Sequence, residues 1–130
     1  MVSTNLRTVE NQRYYQKNKK EILLKCKDYQ KSHHGEINNY HKVKVVEYRN
    51  EIFRLLGGKC VRCGFLDIRA LQIDHIYGGG NRERRNFKNT AYDAYLRFVL
   101  SKIRSGSKDY QLLCANCNWI KRRENKEGDK

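Results

Sequence analysis

An α+β fold, a small cysteine-stapled lobe behind a basic helical arm, is predicted by three features of the sequence. Residues 1–56 contain one glycine and no proline, with apolar residues at helical spacings. Two short segments, Arg69–Ile76 and Tyr110–Leu113, have strand character. Two C-x-x-C pairs, Cys60/Cys63 and Cys114/Cys117, bracket both segments. The division that follows is an arm over residues 1–56 and a lobe over residues 57–130.

In chain order, Tyr14, Tyr15, Ile22, Leu23, Cys26 and Tyr29 mark a first helical stretch, and Ile37 through Val43, Val46, Ile52 and Leu56 a second. Ser32–Gly35 is the expected break between them. Their apolar stripe is thin and partly tyrosine, as in an arm that gains order on a partner. Gly57-Gly58 ends the arm, and Lys59–Gly64 reads as a tight cysteine knuckle. Gly78-Gly79-Gly80 interrupts regular structure after the first strand. Thr90 through Arg104 has helical periodicity, and Ser105-Gly106-Ser107 stops it. The second strand leads directly into a final helix from Ala115, in which Trp119 and Ile120 read as core. Cys26 reads as a half-buried helix residue.

The 130 residues carry 28 Lys+Arg against 14 Asp+Glu, a formal net charge of +14. Residues 1–56 hold 12 basic and 6 acidic side chains, and residues 57–130 hold 16 and 8. The positive field therefore extends along the whole chain, and its natural partner is a polyanion. No apolar run approaches the roughly 20 residues of a bilayer span, and the segment after Met1 lacks a signal-peptide pattern. An intracellular, cytoplasmic protein without a membrane partner is expected.

With 38% hydrophobic residues the lobe can build only a small core. Domains below about 70–80 residues commonly need a staple. Two C-x-x-C pairs in a basic chain without secretion signals predict a structural tetrahedral zinc site of Cys60, Cys63, Cys114 and Cys117. A disulfide framework is the bland alternative; the odd count of five cysteines opposes it. The zinc would fasten the beginning of the lobe to its end.

That staple brings Asp74-His75, on the first strand, toward Asn118, directly after the last cysteine. Asp and Asn oxygens are hard donors suited to Mg²⁺, whereas four sulfurs suit zinc. Taken together, Cys60-x-x-Cys63, Ile73-Asp74-His75-Ile76 and Leu113-Cys114-Ala115-Asn116-Cys117-Asn118 resemble the HNH endonuclease superfamily (His-Me finger, ββα-metal). The likeness is to its zinc-stapled branch, which includes phage-type and mobile-element HNH enzymes and recombination endonuclease VII. It covers about Leu55 to Arg123.

The resemblance implies a ββα-metal lobe and a metal-dependent DNA endonuclease that nicks or cuts both strands of duplex DNA. It implies His75 as general base, with Asp74 and Asn118 holding one divalent cation, Mg²⁺ or Mn²⁺. A homodimer and a phage or mobile-element protein partner are compatible with it. Two positions depart from the pattern: Asp109 stands nearest the family's middle Asn, and Asn118 replaces a final His. The ring-orienting group for His75 is then expected to be a backbone carbonyl. Arg82, Arg84 and Arg85, after the glycine run, are candidate DNA-binding residues, since glycine permits close backbone approach. Lys121, Arg122 and Arg123, on the helix of Asn118, are candidates for phosphate contact. Two alternatives stand beside this reading: a structure-selective branched-DNA resolvase, and a non-catalytic zinc DNA-binding module in which Asp74-His75 is structural.

Overall fold

A computed structural model describes residues 2–127, with side chains described from residue 7 onward. It separates into two units, residues 1–40 and 41–130. The first contains helix α1 (Val2–Ser32) and the start of helix α2 (His34–Leu55). The break falls where Ser32–Gly35 placed it. Ser32 Oγ turns back on the carbonyls of Asp28 and Tyr29, each 3.0 Å away, the local competition that makes serine a weak helix interior residue. Tyr14, Leu23, Leu24 and Tyr29 are more than half exposed, and Cys26 is exposed, not half-buried as expected. Among the described side chains of α1 none is buried, so its thin stripe covers no core there.

In the second unit the chain runs through the end of α2, strand β1 (Leu71–His75), helices α3 (Gly80–Arg85) and α4 (Tyr92–Arg104), strand β2 (Tyr110–Cys114) and helix α5 (Ala115–Glu124). Mixed helix and sheet is therefore the fold class, as predicted. The boundary, however, lies ahead of Gly57. Ile52 and Phe53 are buried in the same cluster as Leu71, Leu96, Val99, Leu112 and Leu113, so the C-terminal part of α2 is core of the lobe and not arm. The apolar pair Ile52-Phe53 is the reason, since it finds partners there. Gly57 and Gly58 stop α2 with φ of 95° and 68°, conformations that cost glycine little.

β1 and β2 pair antiparallel, with Leu71 opposite Cys114, Asp74 opposite Gln111 and His75 opposite Tyr110. A two-stranded ribbon is marginal unless a face is covered. Here Leu112 and Leu113, which point to opposite faces, are both fully buried. α4 supplies Tyr95, Leu96, Val99 and Leu100 to the core, the apolar stripe its 3.6-residue period predicted. Arg49 of α2 donates to the Leu71 carbonyl at 3.0 Å, and His41 pairs with Asp93 of α4 at 2.9 Å. The short α3 was not foreseen, because a helix beginning at the last of three glycines has no apolar period to announce it.

Leu96 has no exposed surface, so Leu96→Ala should lower the unfolding free energy by about 2–5 kcal/mol, the range for large-to-small changes in a packed core. Urea unfolding followed by tryptophan fluorescence measures it.

Candidate functional site

The cysteine pairs come together as their spacing required. Cys60 and Cys63 lie in a turn closed by Gly64 N–H to the Cys60 carbonyl at 2.9 Å, with Gly64 at φ 77°. Cys114 ends β2 and caps α5, its sulfur accepting from the Cys117 amide at 3.4 Å. Val61 N–H to the Leu112 carbonyl, 3.0 Å, straps the turn to the strand. The four Sγ atoms all lie within 4.8 Å of one another, and Cys63 and Cys114 are 3.7 Å apart. Sulfurs at 2.3 Å from a tetrahedral zinc stand about 3.8 Å apart, so the cluster has the dimensions of a structural zinc site.

Its electrostatics ask for positive charge. Burial opposes ionisation of Cys60, but the amides of Cys114, Cys63 and Arg62 outweigh it and bring the thiol down to about 6. Cys117 is pushed up to about 12, first by its hydrogen bond with Cys114 and then by burial. A dication at the centre would reverse that rise, because a coordinating thiol is deprotonated outright.

Strand alternation separates the residues of the Asp-His pair. Gln72 and Asp74 face α5, while Leu71, Ile73 and His75 face the other way. Asp74 is buried, and both its oxygens are engaged: Gln111 Nε2 donates to Oδ2 at 2.8 Å, and Lys121 Nζ lies 3.1 Å from Oδ1 and 3.0 Å from Oδ2. Lys121 also donates to the His75 carbonyl at 2.7 Å and pairs with Glu127 at 3.2 Å. It is only 3% exposed, which removes it from the phosphate-contact candidates. Its partners, two carboxylates and a backbone carbonyl, are the physical reason. Asn118 lies on the same side of β1 and donates to Gln72 Oε1 at 2.6 Å, which leaves its carbonyl oxygen as the atom to offer a cation. The donor chemistry of Asp74 and Asn118 suits a hard cation. As arranged, the ammonium of Lys121 holds the carboxylate, so a cation must displace it to bind there.

His75, on the opposite face, is half-buried. Its Nε2 lies 3.0 Å from Glu83 Oε1, and its ring meets Tyr110 edge-on with centroids 5.0 Å apart. The ring partner is therefore a side-chain carboxylate from α3, not the backbone carbonyl expected. Tyr95 donates to the same Glu83 oxygen at 3.2 Å, and Tyr110 donates at 3.0 and 2.9 Å. Gly80 abuts the ring, since a Cβ there would stand 2.7 Å from Nδ1. The polar groups of Asp109 are engaged by other partners: its carbonyl takes the Ile76 amide at 2.8 Å and its carboxylate takes Ser107 Oγ at 3.1 Å.

Arg82, Arg84 and Arg85 are exposed on α3, with the Arg84 guanidinium 5.5 Å above Tyr92 and 5.8 Å above Tyr95. Arg122 and Arg123 are exposed too, 5.7 and 5.9 Å from the Trp119 ring. Trp119 is 60% exposed and Ile120 49%, so neither is the core residue expected. α5 turns Asn118 and Lys121, three apart, toward β1, and this points Trp119 and Ile120 away. Sequence reading missed Glu83, Gln111, Glu127, Tyr95 and Tyr110. One signal pointed to the first: a lone acid within Asn81-Arg82-Glu83-Arg84-Arg85.

No family model, curated protein or solved structure matches the chain. Among the described residues no helix is long and apolar enough to cross a membrane.

Elemental analysis of the purified chain should find one zinc ion per molecule, and Cys60→Ser should lose it together with several kcal/mol of stability. Lys121→Met leaves Asp74 buried without its counter-charge and should cost about 3–5 kcal/mol in urea unfolding. Arg122→Ala should stay within about 0.5 kcal/mol in the same experiment.

Proposed function

We propose that the chain is a DNA endonuclease of the HNH kind, hydrolysing phosphodiester bonds with His75 as general base. The observation that carries this reading is the setting of His75: an imidazole at the end of β1, half-buried, oriented by a carboxylate, on a ribbon that runs into the helix of the second cysteine pair. The imidazole at the end of the first strand is the part of the resemblance that this arrangement supports. The exposed Arg82, Arg84 and Arg85 follow His75 on the next helix and offer charge for a phosphate backbone. The +14 net charge supplies sequence-independent attraction to duplex DNA along both units.

In the reaction, His75 takes a proton from a water molecule whose oxygen bonds to the scissile phosphorus. The bond from phosphorus to the leaving sugar oxygen breaks in line, and a proton from solvent completes the leaving alcohol. Asp74 and Asn118, across the ribbon from the His75 ring, would hold the divalent cation, Mg²⁺ or Mn²⁺, with Lys121 moved off the carboxylate; the chemistry such a cation would supply is neutralisation of phosphate charge. A zinc held by Cys60, Cys63, Cys114 and Cys117 would serve structure alone, keeping β1, β2 and α5 in place.

One observation favours a second reading. The buried Asp74–Lys121 pair gives Asp74 a structural occupation, as a non-catalytic zinc DNA-binding module would have. Plasmid cleavage in Mg²⁺ separates the two. His75→Ala should abolish cleavage while leaving DNA affinity and zinc content as they were; a wild-type chain that binds plasmid without cutting it would leave the binding module standing. Arg122→Ala and Arg123→Ala should each weaken DNA binding evenly across sequences and reduce the slope of log affinity against log salt by about one.

A further inference from the structure

Glu83 sits among the exposed arginines of α3, yet it is half-buried and turned inward to His75, Tyr95 and Tyr110. An ionised carboxylate only accepts hydrogen bonds, so the ring nitrogen 3.0 Å away must be the one that carries hydrogen. A neutral imidazole has a single N–H. If it is on Nε2, then Nδ1 holds the lone pair. The other hydrogen bonds to Glu83 are of the same sign, because both tyrosines donate hydroxyls to it. Burial, and then the charge and hydrogen bonds of Glu83, push both tyrosine hydroxyls up, so they remain donors throughout the range in which an enzyme would work. The carboxylate is therefore fixed from two elements, α4 and β2, before it meets the imidazole. On the far side of the ring, Gly80 leaves no room for a side chain against Nδ1.

We infer that Glu83 is a positioning residue for His75, holding the neutral ring as the Nε2–H tautomer so that Nδ1 is the atom that accepts the proton from water. The inference rests on the reading of His75 as general base, but its structural half can be measured without any catalysis. A substitution that keeps the size and removes the charge, Glu83→Gln, frees the ring to take either tautomer.

The experiment is ¹⁵N NMR of the imidazole nitrogens in the full zinc-loaded chain, run beside single-turnover plasmid cleavage in Mg²⁺. Wild type should show His75 as Nε2–H. Glu83→Gln should shift the ring toward a mixture and slow the cleavage step about 10²-fold, with DNA affinity unchanged. A wild-type ring protonated on Nδ1 overturns the inference even if the variant fails to fold. Cleavage by Glu83→Gln at the wild-type rate overturns it as well. Should His75→Ala cut as fast as wild type, the nuclease mechanism is what fails, and the NMR result still decides whether Glu83 sets the tautomer.

Discussion

Everything in the lobe is arranged around the meeting of four sulfur atoms contributed by two distant turns. The chain between Cys63 and Cys114 contains β1, α3, α4 and nearly all of β2, so closing the cluster also closes this long excursion. Long loops are entropically costly to close, though slowly so with length, and the ribbon itself is only two strands wide. Cys60 and Cys114 are members of the apolar core as well as of the cluster, which makes packing and sulfur geometry a single cooperative unit. The small share of apolar residues is tolerable on those terms. A basic chain of this composition would otherwise have little to set against its own charge repulsion.

β1 then acts as a partition. Its α5 side is an ionic layer of Asp74, Gln111, Lys121 and Glu127, and its other side gathers His75, Tyr110, Tyr95 and Glu83. The layers differ in kind. The first contains a buried ammonium satisfied by two carboxylates and a carbonyl, an arrangement that is costly to break and that docks α5 on the ribbon. The second holds one carboxylate hydrogen-bonded to three rings, close to the exposed arginines of α3. Lys121 joins them, since it reaches the backbone carbonyl of His75 itself.

Much of this was legible in the sequence, for identifiable reasons. The break at Ser32–Gly35, α4, both strands and the start of α5 follow from glycines and from periods of two or 3.6, which local chemistry enforces. The cysteine cluster follows from ligand spacing. What escaped depends on which way a helix is turned. Trp119 and Ile120 are large and apolar, but α5 gives its inner face to Asn118 and Lys121, and a helix with two charged or polar anchors cannot bury both faces on so small a sheet. For the same reason Lys121 looks like its neighbours Arg122 and Arg123 in sequence and is their opposite in space. Glu83 escaped because its partners lie on β1, α4 and β2, a juxtaposition no local pattern records. The arm's boundary escaped because Ile52 and Phe53 continue an unbroken helical period across the place where one unit gives way to the other.

Tyr110 faces His75 across the ribbon, and Cys114 ends the same strand four residues later. In a pleated pair, sliding one strand by a single residue would put Asp109 or Gln111 opposite the imidazole and turn every side chain of β2 to the wrong face. The strand's position is clamped at its far end by a sulfur that has three others to satisfy. The cluster thus works as a ruler: it measures where β2 lies along β1, and the imidazole reads the measurement at the other end. Chemistry that loosened the sulfurs would be felt at His75 as a change of neighbour, without any group near the ring having been touched.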